Sequence, residues 1–205
     1  MLRILFLTGV LLLTNISLWA QKKNQPVAQP ASTEGPIASK TKTYKQFTGF
    51  IEYFYEEKTD KVFLLIDKFD TELLYIVSLS AGVGSNDIGL DRLQLGGERV
   101  VKFERRGPKV LMVEPNYRYR AISNNAEERK AVEEAFAQSV LWGFKVEAEE
   151  GNKVLVDATD FFLQDAHDVS GTLKNTGQGN YSVDKSRSAF YMPRTKNFPK
   201  NSEIE

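Results

Sequence analysis

The sequence predicts an α+β fold: mainly an antiparallel β-sheet meander with two helices packed on it. Three observations predict it. Short β-prone runs recur along the chain, each bounded by turn residues. The turns joining them are too short for a parallel crossover, which needs about a dozen residues or more. Two segments instead carry apolar side chains at helical spacing.

Taken in order, residues 50–56 are aromatic-rich, and Glu57-Lys58-Thr59-Asp60 follows as a hairpin turn. Residues 62–66 form a continuous apolar run, as in a buried strand. A further strand is expected over 73–79, then a long loop over 82–97 holding five glycines. Strands at 100–104 and 110–113 flank Arg106-Gly107-Pro108, a strong turn signal. Pro115-Asn116 leads into a strand over 117–121. The first helix is capped by Asn124 or Asn125, with Glu127 or Glu128 three residues on. Val132, Ala135, Phe136, Ser139 and Val140 give it one buried face, and Gly143 ends it. Residues 144–148 and 154–156 form a second hairpin. Asp160 caps a second helix with Phe162, Ala166, Val169 and Leu173 on one side. Strands at 181–183 and 189–192 follow.

Residues 1–20 read as a secretory signal peptide. Arg3 is the positive start, 4–13 the apolar run broken only by Thr8 and Gly9, and Ser17-Leu18-Trp19-Ala20 the cleavage region. The run is shorter than the ~20 apolar residues that spanning takes, so no stable membrane anchor is expected after cleavage. The chain is expected to be exported, periplasmic or secreted. Residues 21–43, rich in Pro, Ser, Thr, Gln, Ala and Lys, are expected to be a flexible linker. Residues 44–205 form the β-rich domain. Its polar, extended end at 193–205 closes with Glu203-Ile204-Glu205, which resembles the start of a strand, so the domain is expected to be truncated there.

Composition excludes much chemistry. There is one histidine, His167, and no cysteine. No disulfide or cysteine nucleophile is available, and a Ser-His pair would have to use His167. The 27 Lys+Arg balance the 27 Asp+Glu, so no basic excess points to nucleic acid. Asp165, His167 and Asp168 lie close together, but neighbouring helix positions point apart, and a polar helix surface explains them better. The 82–97 loop lacks the spacing of a phosphate loop or a calcium loop. Loops this long often carry function, so Asp87, Asp91 and Arg92 are candidate contact residues. Arg105 and Arg106, with Arg118, Arg120 and Arg99, can form a basic strip on neighbouring strands beside Tyr117 and Tyr119. Pairing with carboxylates at a sheet surface or domain interface is its expected role. Arg99 apart, these seven charged residues form the candidate interaction surface; no catalytic, cofactor or metal residue is assigned.

Several segments in order carry a resemblance: Asn86-Asp87-Ile88-Gly89-Leu90-Asp91-Arg92, Leu95-Gly96-Gly97, residues 100–107, and Pro115-Asn116-Tyr117-Arg118-Tyr119-Arg120-Ala121. Ser139-Val140-Leu141-Trp142-Gly143-Phe144, residues 154–162 and residues 186–199 complete the set. Together they resemble the N-terminal, non-catalytic region of large exported bacterial zinc-dependent metalloproteases of the metzincin-like type. The resemblance runs from about Tyr44 to the end. It implies a downstream catalytic domain with an H-E-x-x-H-x-x-G-x-x-H zinc motif, of which no residue occurs here. It therefore implies an accessory domain, inactive alone, with no cofactor in this chain and zinc only in the downstream domain. Its expected partners are that protease domain and a peptide or protein substrate, with no nucleic acid. The alternative expectation is a stand-alone cell-envelope binding module.

Overall fold

The structure, a computed structural model, describes residues 35–84 and 86–205, and for Asn86 the backbone alone. The expected signal peptide, and the linker up to residue 34, lie outside the described residues.

Eight strands form one antiparallel sheet: β1 (Lys45–Phe47), β2 (Glu52–Glu56), β3 (Lys61–Ile66), β4 (Leu73–Ser78), β5 (Leu95–Arg106), β6 (Lys109–Glu114), β7 (Ser139–Glu150) and β8 (Lys153–Asp157). Their order across the sheet is β1-β2-β3-β8-β7-β6-β5-β4. Two meanders are thus joined at β3–β8, where Phe63 faces Asp157 and Ile66 faces Val154. The single meander expected from the sequence is replaced by this long-range pairing.

The order forces the sheet to curl. β3 and β4 are consecutive in sequence yet five places apart, about 24 Å across a flat sheet. The seven Cα steps from Ile66 to Leu73 reach about 25 Å only if fully extended. Asp70 breaks that extension with φ 52°. The sheet therefore bends into a half-barrel. Register shifts at Ile76/Ser78, Met112/Val113 and Val146/Ala148 add local twist.

The concave face holds the main core. Tyr53, Val62, Leu64, Val101, Phe103, Val110, Met112, Phe144 and Val156 are buried there. Phe161 of helix α3 (Thr159–Phe162) plugs it, packing edge-on against Phe144 and Trp142. Asp157 starts α3 by accepting from Thr159 N at 3.0 Å, and Thr159 Oγ1 accepts from Val62 N at 3.1 Å.

The convex face of β2, β3 and β8 carries a second core, Phe54, Phe63, Leu65 and Leu155, covered by Ile37. Ile37 belongs to helix α1 (Pro36–Thr41), which lies inside the expected flexible linker. That expectation is corrected for 36–41. Pro36 fits the first turn of a helix, Ile37 and Thr41 are buried, and Lys40 Nζ meets Glu147 of β7 at 2.5 Å. The packed unit therefore starts before Tyr44.

Both expected helices are also corrected. Helix α2 (Ala126–Ala135) is capped as expected: Asn125 accepts from Glu127 N at 2.9 Å. It ends at Ala135, well before Gly143, because Ser139 and Val140 enter β7 opposite Glu114 and Val113. The apolar spacing from Val132 to Val140 is shared by a helix end and a strand start, and the ladder with β6 decides between them. No residue of α2 is buried. The second expected helix is two short ones, α3 and α4 (Val169–Asn175), separated by a turn with Asp168 at φ 58°. The expected strands at 117–121, 181–183 and 189–192 do not form. A small hairpin forms later, β9 (Lys196–Phe198) with β10 (Asn201–Glu203). No helix among the described residues is long and apolar enough to cross a membrane.

Candidate functional site

The connection from β6 to β7 builds an open groove of about 590 Å³ at one end of the sheet. Tyr117, Tyr119 and Phe136 supply its aromatic wall, and Glu98, Arg99 and Val100 of β5 its other side. Asn116 shapes the turn, its Oδ1 accepting from Arg118 N at 3.1 Å and Tyr119 N at 3.3 Å. The Tyr119 ring stacks on Phe136 with centroids 4.1 Å apart. The Tyr117 hydroxyl donates to Glu72, which ties the turn to the start of β4. All three aromatic residues remain exposed.

The structure divides the seven candidate residues into three groups. Arg118 and Arg120 are at the groove, their guanidinium carbons 5.6 Å from the Tyr119 ring and 5.5 Å from the Tyr117 ring. Such stacking leaves guanidinium edges able to take a carboxylate. Arg105 and Arg106 lie at the other end of β6, about 20 Å away along six residues of strand. Arg105 meets Glu149 at 2.8 Å and Arg106 meets Glu104 at 2.5 Å. One continuous basic strip therefore does not form. Asp87, Asp91 and Arg92 lie on the β4–β5 connection, where Gln94 Oε1 accepts from Asp91 N at 3.2 Å.

Glu104 is buried on β5 between two cations. A hydrogen bond from Lys102 holds its carboxyl below the usual range; burial opposes this, and Arg106 adds to it. These contacts run along β5 itself and bring no reacting group toward the groove.

The Asp165–His167–Asp168 cluster forms no acid-base pair. Burial pushes the Asp165 pKa up, but hydrogen bonds from Ser170 and Val169 outweigh it and leave the group lowered. Asp165 accepts from Val169 N at 2.8 Å and Ser170 N at 2.7 Å, so it serves the start of α4. His167 lies beside Gly96, and neither buried ring nitrogen has a hydrogen-bond partner among the described residues. No group of three or more metal-ligating side chains occurs among the described residues.

A family model described as Domain of unknown function (DUF5117) matches residues 94–205, more than half of the chain. The chain belongs to the DUF5117 family. The DUF5117 match begins just before β5 and so takes in the groove. β1 to β4 precede it, yet β3 and β4 pair with β8 and β5 in the same sheet. No curated protein and no solved structure matches this chain.

Tyr117, Tyr119, Arg118 and Arg120 stand out in the sequence, but their partner Phe136 does not stand out as a groove wall. Helical spacing places Phe136 on a buried face, and only the early end of α2 turns it toward Tyr119.

Proposed function

We propose that this chain is the non-catalytic, N-terminal accessory domain of an exported zinc-dependent metalloprotease. In this reading the zinc belongs to a downstream catalytic domain, and this domain docks against it or against its protein substrate. The observation that carries the reading is the uncovered aromatic and apolar surface around the groove. Val100 lines the groove and pairs with Leu74, which is 63% exposed. Exposed apolar surface of this kind marks an interaction site. The ordered motif set supports the reading, because Pro115-Asn116-Tyr117-Arg118-Tyr119 is itself the groove wall.

The test is the natural reading frame beyond codon 205. An H-E-x-x-H-x-x-G-x-x-H segment in that frame is the expected result. A frame that stops at 205, with no zinc-protease domain in a neighbouring frame, overturns the proposal.

A second reading, a stand-alone cell-envelope binding module, is favoured by Arg118 and Arg120 stacked at an open groove. It expects the isolated chain to melt in one cooperative transition, measured by circular dichroism. Partial unfolding or aggregation of the isolated chain counts against it.

A further inference from the structure

Strand β4 ends the sheet, pairing with β5 on one side only. No hydrogen bond among the described residues reaches its other edge. Its sequence, Leu73-Leu74-Tyr75-Ile76-Val77-Ser78, contains no charge and no proline. Open edges are normally blunted by lysine, proline or shortness. The opposite edge follows that rule: β1 has three residues and carries Lys45. β4 has neither lysine nor proline, its one irregularity being the register shift at Ile76/Ser78 in its pairing with β5, and Leu74 and Ile76 stand 63% and 43% exposed on its convex face.

We propose that β4 pairs antiparallel with β4 of a second copy of this chain, joining two eight-stranded sheets across a twofold axis. The occupant follows from charge and pattern. An uncharged edge of six residues takes a strand with no charge to bury, and β4 is itself such a strand. Pairing centred on Tyr75 keeps each face in register. Leu74 then faces Ile76 of the second copy, Leu73 faces Val77 and Glu72 faces Ser78, with no like-charged pair opposed. One added strand buries less than the ~800 Å² per partner of a stable interface. An interface this small is weak, so the dimer stands in equilibrium with monomer. Leu74 also adjoins the groove proposed to dock the protease domain, but pairing of the β4 edges needs no downstream domain.

Sedimentation velocity on the full chain tests it. The expected result is a monomer–dimer equilibrium that Leu74→Lys/Ile76→Lys weakens at least tenfold. Leu74→Glu/Ile76→Glu should weaken it likewise, and mixing the two variants should restore a heterodimer, which general apolar association would not do. Hydrogen exchange of the β4 amides that point away from β5 needs no variant: their protection should rise with concentration. A monomer at ~1 mM, outward-pointing β4 amides unprotected at every concentration, or a dimer indifferent to the lysine pair overturns the proposal.

Discussion

Asn197 fastens the C-terminal hairpin to the loop between β1 and β2. Its Nδ2 donates to Phe47 O and Ile51 O, both at 2.8 Å. Its Oδ1 accepts from Phe50 N at 3.2 Å and Ser202 Oγ at 2.8 Å. The side chain approaches so closely that a Cβ on Gly49 would lie 2.2 Å from Oδ1. Asn197→Ala would remove the Nδ2 donor from Phe47 O, while Phe50 N keeps Phe198 O and Ile51 O keeps Ser202 Oγ, and the expected loss of stability is about 1–3 kcal/mol. Asn197→Asp should cost at least as much, because it removes both donors and sets an oxygen against two carbonyls. Urea denaturation of the three proteins checks this; a loss below about 0.5 kcal/mol for Asn197→Ala would sink the assignment. Asn197 stands in a segment that the sequence singles out, but its role is not legible there. Its carbonyl partners lie 146 and 150 positions away, and no local pattern encodes them.

Among elements, legibility follows the locality of the cause. β3, β4, β6 and the β7–β8 hairpin are readable because apolar runs and turn residues sit next to each other in sequence. The cap of α2 is readable for the same reason. Helix α1 is not, since a stretch of Pro, Ser and Lys conceals one decisive residue, Ile37. Its contribution comes from the convex face of β2, β3 and β8, which needs a cover. Ile37→Ala should therefore destabilise the domain by about 2–3 kcal/mol, more than truncation of any side chain of α2, where Val132 is half-buried and none is buried. Thermal melts of Ile37→Ala and Val132→Ala compare the two helices directly. Equal effects would mean that α1 does not cover the second core.

Across the whole molecule, the carboxylates set the response to pH. Hydrogen bonds from Lys102 to Glu104 and from Lys40 to Glu147 lower both groups against the opposing effect of burial. For Asp157 burial is the largest influence and raises the pKa, but Thr159 and Lys61 together outweigh it, and the net direction is down. Lys61 is raised, first by its hydrogen bond to Asp157. A folded-state pKa below the unfolded value means that protonation favours unfolding. The carboxylate contribution is thus complete above the ordinary values of 4.5 for Glu and 3.8 for Asp, and is lost as pH falls through the lowered folded values. The Lys61 contribution has the opposite sense: it is complete below 10.5 and lost as pH rises through its raised folded value. The melting temperature should therefore hold a plateau between about pH 5.5 and 9 and fall steadily below about pH 4.5. Glu104→Gln should lower the plateau and shrink the acid drop, since its charge no longer titrates. An acid limb of unchanged depth in that variant would place the acid sensitivity elsewhere than in the Lys102–Glu104–Arg106 row that runs along the convex face of β5.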